Sequence, residues 1–174
     1  MLKVGVVGLG AMGQHHARLY SQLSCSLVGV ADANPERAKG IGEKYSTQYH
    51  TDYHSLLSEV EAVSIAVPTT LHHTVAMDFL KEGVHCLVEK PIAFDLHEAD
   101  EMIEAAERNQ VNLAVGHIER FNPAVVKLKQ IVDEGIPSKL LIVSTRRVRP
   151  FVPRIRDVSI VIDSATHDIG VEEH

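Results

Sequence analysis

Three side chains in this sequence are of types that suit proton transfer, and two of them also have a suitable spacing. Asp163 and His167, in VIDSATHDIGVEEH, are four residues apart and would share one face of a helix. A histidine oriented by a carboxylate can take a hydroxyl proton near neutral pH. Lys90, in the turn Glu89-Lys90-Pro91, could donate to a substrate hydroxyl and stabilise a developing alkoxide. Plainer interpretations are a helix N-cap followed by a surface histidine, and a surface lysine beside a turn proline.

A glycine-rich loop lies near the start of the chain. The segment VGVVGLGAMGQHH has Gly8, Gly10 and Gly13 in the G-x-G-x-x-G spacing, between an apolar run and a helical pattern. The first glycine permits a tight turn, the second lets a pyrophosphate approach the backbone, and the third lets helix pack on strand. The helix N-terminus offers free N–H groups to the anion. We therefore predict a dinucleotide-binding loop, with ordinary turn glycines as the alternative, formed by Gly8, Gly10, Ala11, Met12 and Gly13.

Asp32 bears on which dinucleotide binds. The run SLVGVAD ends on this residue, close to the separation of about 20 residues expected for a ribose-binding carboxylate. A carboxylate here accepts hydrogen bonds from the ribose diol and repels a 2′-phosphate. The sequence therefore predicts NAD rather than NADP, although Arg37 is close enough to keep NADP as a weaker alternative. The plainer interpretation is that Asp32 caps the helix that begins at Pro35.

The elements that must position these residues alternate between strand and helix. Apolar runs predict strands in LKVGVVGLG, SLVGVAD, AVSIAVP, HCLVEK and VNLAVGH, and segments with helical spacing separate them. Strands that are apolar on both faces, joined by helices, indicate an α/β fold with a doubly wound parallel sheet of the Rossmann class. The glycine loop and the Glu-Lys-Pro turn each follow a strand, at the edge where such sheets bind ligands.

The pattern changes near residue 120. NPAVVKLKQIVDEG predicts one amphipathic helix, SKLLIVSTRRVRP predicts a half-exposed strand, and a further helix begins at Asp163. One helix, one strand and a stub cannot close a sheet. We predict a dinucleotide-binding domain over residues 1–120 and an incomplete, truncated start of an α+β domain over residues 121–174.

The composition argues against several classes of partner. A net charge of −6 gives no general attraction to nucleic acid, although RRVRPFVPRIR is locally cationic. No apolar run reaches the roughly 18 residues of a membrane span, and no cleavable leader is apparent, so we expect a cytoplasmic protein. We expect no metal, because no carboxylate or thiolate completes a ligand set with the paired histidines. Arg149 and Arg154 suit a diphosphate and a solvated strand edge about equally.

Several motifs together resemble the Gfo/Idh/MocA family of sugar and polyol dehydrogenases. They are the glycine loop followed by His16, AVPTTLHHTVAMDFLKEG, LVEKPIA and the terminal D-x-x-x-H-D. GHIERFNPAV and DVSIVIDSATHDI are most similar to the family's UDP-N-acetylglucosamine 3-dehydrogenase branch. The resemblance implies an NAD-dependent oxidoreductase that removes hydride from a sugar carbon, C3 of a UDP-N-acetylhexosamine. The alternatives are a dehydrogenase of a free polyol such as inositol, and a non-catalytic NAD-binding module.

The resemblance also implies roles for matching positions. Lys90 would contact the reacting hydroxyl, His167 would be the general base, and Asp163 would orient substrate or imidazole. The positions implied to line the cofactor are Pro68, Thr69, His72, Glu89 and Lys90. Those implied to lie near the substrate are Lys90, Arg120, Asn122, Arg149, Arg154 and His167. The family's second domain walls the substrate site and mediates oligomerisation, so a homo-oligomer is expected, and a chain with only its start would lack part of that wall.

Overall fold

A six-stranded parallel sheet forms the centre of the fold. The computed structural model describes residues 1–135. The strands are β1 (Lys3–Val7), β2 (Ser26–Ala31), β3 (Gln48–His50), β4 (Ala62–Ile65), β5 (His85–Val88) and β6 (Leu113–Val115). They lie in the order β3-β2-β1-β4-β5-β6, and every neighbouring pair is parallel. The order reverses between β1 and β4, which is where open α/β sheets bind ligands, and the predicted fold class is confirmed.

Helices connect the strands, and side-chain caps explain where several of them begin. The helices are α1 (Ala11–Tyr20), α2 (Pro35–Tyr45), α3 (His72–Lys81), α4 (Leu96–Arg108) and α5 (Pro123–Asp133). The Asn34 side chain accepts from the Arg37 backbone N–H at 3.0 Å at the start of α2. Asp95 does the same for Glu98 at 2.9 Å at the start of α4. Such caps satisfy backbone donors that the first helical turn leaves without an intrahelical partner.

Two apolar clusters cover the two faces of the sheet. On one face, Val6 and Val30 pack with Ala17 of α1 and Ile41 of α2. On the other face the cluster includes residues of β4 and β5 together with α3 and α4, among them Val63, Ile65, Val88, Phe79 and Met102. Side chains alternate along a strand, so Ser64, between Val63 and Ile65, points to the face that carries α1. This alternation decides which polar side chains can meet near the carboxyl edge.

Strand β3 was not predicted from the sequence. Its three residues, Gln48, Tyr49 and His50, lack an apolar run, and it is the terminal strand of the sheet. Its backbone pairs with β2. The Tyr49 ring occupies the space beside Gly42 of α2, where a Cβ would lie 2.6 Å from the ring. Tertiary packing and pairing therefore form this strand, and local propensity does not.

The chain divides into two compact units, Met1–Gly116 and His117–His174. In the second unit the described elements are a short 3₁₀ turn, Ile118–Phe121, and α5. The assignment of a dinucleotide-binding and a substrate domain stays a prediction. The predicted strand SKLLIVSTRRVRP and the terminal helix lie outside the described residues.

No helix within residues 1–135 is both long and apolar enough to cross a membrane.

Candidate active site

Buried polar side chains concentrate at the carboxyl edge of the sheet. Within residues 1–135, the buried polar and charged residues are Asp32, Ser64, Thr69, His72 and Glu89. Asp32 directly follows β2, Glu89 directly follows β5, and the others lie in β4 or shortly after it. Burying a polar group is costly unless it is hydrogen-bonded. The carboxyl edge of the sheet, which the sequence predicted to bind ligands, is therefore also where the buried polar groups lie.

The glycine loop is shaped by close backbone contacts. Gly8 has φ of +83°, and a Cβ there would lie 2.6 Å from the carbonyl oxygen of Ala66. A Cβ on Gly13 would overlap the carbonyl oxygen of Gly8. A Cβ on Gly10, in contrast, would meet nothing within 4 Å. Gly8 thus allows the loop to pack against the segment after β4, and Gly13 allows α1 to pack against the loop. Gly10 leaves open space where a pyrophosphate could approach.

The first turn of α1 is open to an anion. Ala11 and Met12 are exposed there, and Gly10 supplies no capping side chain. The first N–H groups of a helix then remain available to a ligand. The tight turn and the uncapped helix start match the predicted conformation, and the binding of a dinucleotide there stays a prediction.

Asp32 joins the end of β2 to the glycine loop. Its Oδ2 accepts from the Leu9 backbone N–H at 2.7 Å, and its Oδ1 accepts from the Asn34 backbone N–H at 2.8 Å. The Arg37 guanidinium donates to both oxygens, at 3.1 and 3.3 Å. The plainer interpretation of Asp32 as the cap of α2 is wrong, because Asn34 caps that helix. The carboxylate instead sits beside the loop, paired with the Arg37 guanidinium.

The Glu89-Lys90-Pro91 turn continues directly from β5. The Glu89 backbone N–H donates to the Ile65 carbonyl at 2.9 Å, which ties the turn to the end of β4. The Lys90–Pro91 peptide bond is cis. Lys90 is half-buried, whereas Glu89 is only 9% exposed and pairs with His16. The lysine is therefore presented at the carboxyl edge from a backbone that neighbouring strands hold.

The structure gives His72 a role different from the implied contact with the cofactor. Its ring is 1% exposed, with Nδ1 at 2.8 Å from the Pro91 carbonyl oxygen and Nε2 at 3.0 Å from that of Val67. A neutral ring donates from one nitrogen to its carbonyl oxygen, and the other nitrogen lies against the second carbonyl oxygen, so backbone surrounds both. His72 links the segment after β4 to the segment after β5, so it holds the two loops together rather than facing a ligand.

The remaining predicted positions are placed as follows. Pro68 is exposed, and buried Thr69 begins a short 3₁₀ turn just after β4. In the second unit Arg120 is exposed, and Asn122 caps α5 while its Nδ2 donates to Glu119 at 2.9 Å. Arg149, Arg154, Asp163 and His167 lie outside the described residues. Across the part of the chain that the structure describes, no three His, Cys, Asp or Glu side chains are arranged to hold a metal ion.

Three residues at the edge were missed as site residues by sequence reasoning. His16, Tyr20 and Ser64 form a hydrogen-bonded chain that ends on Glu89. A faint signal existed, since Ser64 is a polar residue inside the apolar run AVSIAV and His16 follows the last glycine of the loop by three residues.

Comparison with known proteins decides the family. The model of an oxidoreductase family with an NAD-binding Rossmann fold, Gfo/Idh/MocA, matches residues 2–117. The chain belongs to this family. The glycine loop and Asp32 of this Gfo/Idh/MocA chain both lie within the matched residues.

The similar proteins include nucleotide-sugar and polyol dehydrogenases. The chain is 39% identical over 170 residues to the UDP-N-acetylglucosamine 3-dehydrogenase of Acidithiobacillus ferrooxidans, covering 98% of this chain and 53% of that protein. A solved structure of that enzyme, GnnA, aligns with a TM-score of 0.84 at 36% identity, covering 98% of this chain and 55% of the other. The inositol 2-dehydrogenase of Rubrobacter xylanophilus is 33% identical over 174 residues, covering 97% of this chain and 50% of that protein. The chain spans about half the length of these curated relatives.

Proposed function

We propose that this Gfo/Idh/MocA chain carries the dinucleotide site and the catalytic lysine of an NAD-dependent sugar dehydrogenase. The observation that carries the proposal is the presentation of Lys90 after β5, on the same sheet edge as the open glycine loop. Open α/β sheets bind ligands at that edge. The substrate proposed is a UDP-N-acetylhexosamine, oxidised at C3, because the resemblance and the Acidithiobacillus relative both point to that class.

Oxidation of a sugar hydroxyl needs a hydride acceptor, a hydrogen-bond donor to the oxygen and a base for the proton. NAD, when bound, supplies the hydride acceptor. Lys90 donates a hydrogen bond to the reacting hydroxyl and stabilises negative charge as it develops on the oxygen. His167 accepts the hydroxyl proton and Asp163 orients its ring, both as proposals for residues outside the described part of the chain. Arg149 and Arg154 are proposed to bind the diphosphate, for which guanidinium forks are suited.

A free polyol is the second candidate substrate, favoured by the similarity to an inositol 2-dehydrogenase. The two candidates differ in the diphosphate. We expect replacement of both Arg149 and Arg154 by alanine to raise the KM of the full-length gene product for UDP-N-acetylglucosamine by about 10-fold or more, since hydrogen bonds to charged groups contribute about 1.5–3 kcal/mol each. Steady-state NADH formation with UDP-N-acetylglucosamine and with inositol measures this. Turnover of inositol alone, unaffected by the substitutions, would favour the polyol candidate.

We propose NAD rather than NADP as the cofactor, and the pair of Asp32 and Arg37 makes this testable. The carboxylate suits a ribose diol, but the Arg37 side chain is 45% exposed and could turn from Asp32 towards a 2′-phosphate. We expect wild-type chain to bind NAD more tightly than NADP, and Arg37→Ala to weaken NADP binding about 10-fold while NAD binding changes little. Calorimetric titration of both dinucleotides measures this, with Lys39→Ala on the same helix as the control. Equal affinity of the wild-type chain for the two would contradict the proposal.

A further inference from the structure

Four polar side chains form a continuous hydrogen-bonded chain on the α1 side of the sheet. The Tyr20 hydroxyl lies 2.7 Å from Ser64 Oγ, and Ser64 Oγ lies 3.2 Å from Nδ1 of His16. Nε2 of His16 lies 2.9 Å from Oε1 of Glu89. The residues come from α1, from β4 and from the segment after β5. Ser64 is 1% exposed and Glu89 is 9% exposed, so these bonds form largely away from water.

The hydrogen bonds of this chain have one consistent direction when Glu89 is ionised. A carboxylate can only accept, so Nε2 of His16 must donate to it. In the neutral ring Nδ1 then accepts, which makes the Ser64 hydroxyl its donor and leaves the Tyr20 hydroxyl to donate to Ser64. One charge therefore fixes the tautomer of the histidine and the orientation of both hydroxyl groups.

The Glu89 carboxylate is also confined from a second side. A Cβ on Gly116 would lie 3.2 Å from Oε2 and 3.4 Å from Oε1, so glycine leaves just enough room for the carboxylate. The titratable groups that bear on it are His16 and Lys90. Burial raises the pKa of Glu89, but the hydrogen bond from His16, with the backbone N–H and charge of Lys90, outweighs burial and holds the pKa below its ordinary value.

We propose that His16 is a positioning residue for the Glu89-Lys90-Pro91 turn: supported by Ser64 and Tyr20, it fixes the charged Glu89 carboxylate beside Lys90 and connects it to the helix that begins at the glycine loop. This inference rests on the proposed function only in giving Lys90 a part in catalysis. His16, on α1, holds the negative charge of Glu89 next to Lys90 and so sets the electrostatic environment of that lysine. Removing His16 should therefore reduce turnover more than it reduces dinucleotide binding.

The first test uses the 174-residue chain and needs no turnover. Carbon-13 NMR of the Glu89 carboxyl group follows its titration, and nitrogen-15 NMR reports the His16 tautomer. We expect Nε2–H in the wild-type ring. His16→Phe should move the Glu89 titration to higher pH, whereas His16→Gln, whose amide can donate at the same place, should restore much of the wild-type midpoint. His15→Phe, at the exposed neighbouring position, is the matched control and should leave the midpoint unchanged.

Glu89→Gln keeps His16 and provides a second variant should His16→Phe fail to fold. It removes the charge that fixes the ring, and its amide can either accept from Nε2 or donate to it, so we expect the single His16 tautomer to become a mixture. A wild-type Glu89 midpoint in His16→Phe, or an unchanged tautomer in Glu89→Gln, would overturn the proposal.

The second test measures kcat and NAD affinity of the full-length gene product. We expect His16→Phe to lower kcat by about 10-fold to 100-fold, an effect of the size found when the hydrogen-bond partner of a metal ligand is removed, with little change in NAD affinity and rescue by His16→Gln. Unchanged kcat in His16→Phe, in a protein that Lys90→Ala inactivates, would also overturn the proposal. If Lys90→Ala has no effect, the proposed function fails, and the NMR test still decides whether His16 holds Glu89.

Discussion

Lys90→Ala is expected to lower kcat of the full-length gene product with its sugar substrate by about 10²–10³-fold, the effect of removing one donor to a developing oxyanion. The physical reason is that Lys90 donates where negative charge appears in the transition state, so its loss is felt more in kcat than in substrate binding. The structure supports this placement, because the turn continues from β5 and its backbone is tied to the end of β4.

Two controls make the Lys90 result specific. Lys81→Ala removes an exposed lysine at the end of α3 and should leave kcat unchanged. Calorimetry should show that Lys90→Ala still binds NAD, which separates loss of chemistry from loss of the dinucleotide site. Wild-type turnover in Lys90→Ala would remove this residue from the mechanism.

Substitutions in the glycine loop give the second large effect. Gly13→Ala is expected to lower both protein stability and NAD affinity, whereas Gly10→Ala is expected to lower NAD affinity alone. In Gly13→Ala the new Cβ overlaps the Gly8 carbonyl, so α1 must shift. We expect its free energy of unfolding to fall by about 1–3 kcal/mol, as for other overpacked sites, and NAD binding to be lost. In Gly10→Ala the Cβ meets nothing in the protein, so stability should stay within about 0.5 kcal/mol of wild type, while NAD affinity falls about 10-fold or more.

Urea unfolding and calorimetric titration of NAD measure both quantities on the 174-residue chain. Gly40→Ala serves as the matched control, because this exposed glycine lies inside α2 and a Cβ there also meets nothing within 4 Å. It should stabilise the chain by about 0.5–1 kcal/mol, since alanine favours the helix, and leave NAD binding unchanged. If Gly10→Ala binds NAD as tightly as wild type, the pyrophosphate does not approach the loop at that position.

The elements with a strong local signal were predictable from the sequence. Buried parallel strands appear as apolar runs such as AVSIAV, and a glycine pattern between strand and helix has a defined geometry, which Gly8 and Gly13 adopt. Strand β3 could not be predicted in this way, since Gln48 and His50 are polar and only pairing with β2 makes their backbone extended.

The polar interior of the site was harder to predict because its partners are distant in sequence. His16 and Glu89 are 73 residues apart, and only the sheet order brings α1 beside the end of β5. For His72 the sequence predicted a ligand contact that the structure does not support. The family resemblance implied that His72 lines the cofactor, but its ring is buried between two backbone carbonyl groups, which no local pattern reveals.

The central claim is that hydride passes directly from a sugar carbon to NAD at this edge of the sheet. The most direct measurement incubates the full-length gene product with NAD and UDP-N-acetylglucosamine deuterated at C3, and locates the deuterium by mass spectrometry and NMR. We predict that NADH forms with deuterium at the nicotinamide C4 position, and that Lys90→Ala forms almost none. Absence of NADH formation, or NADH without deuterium, would contradict the claim.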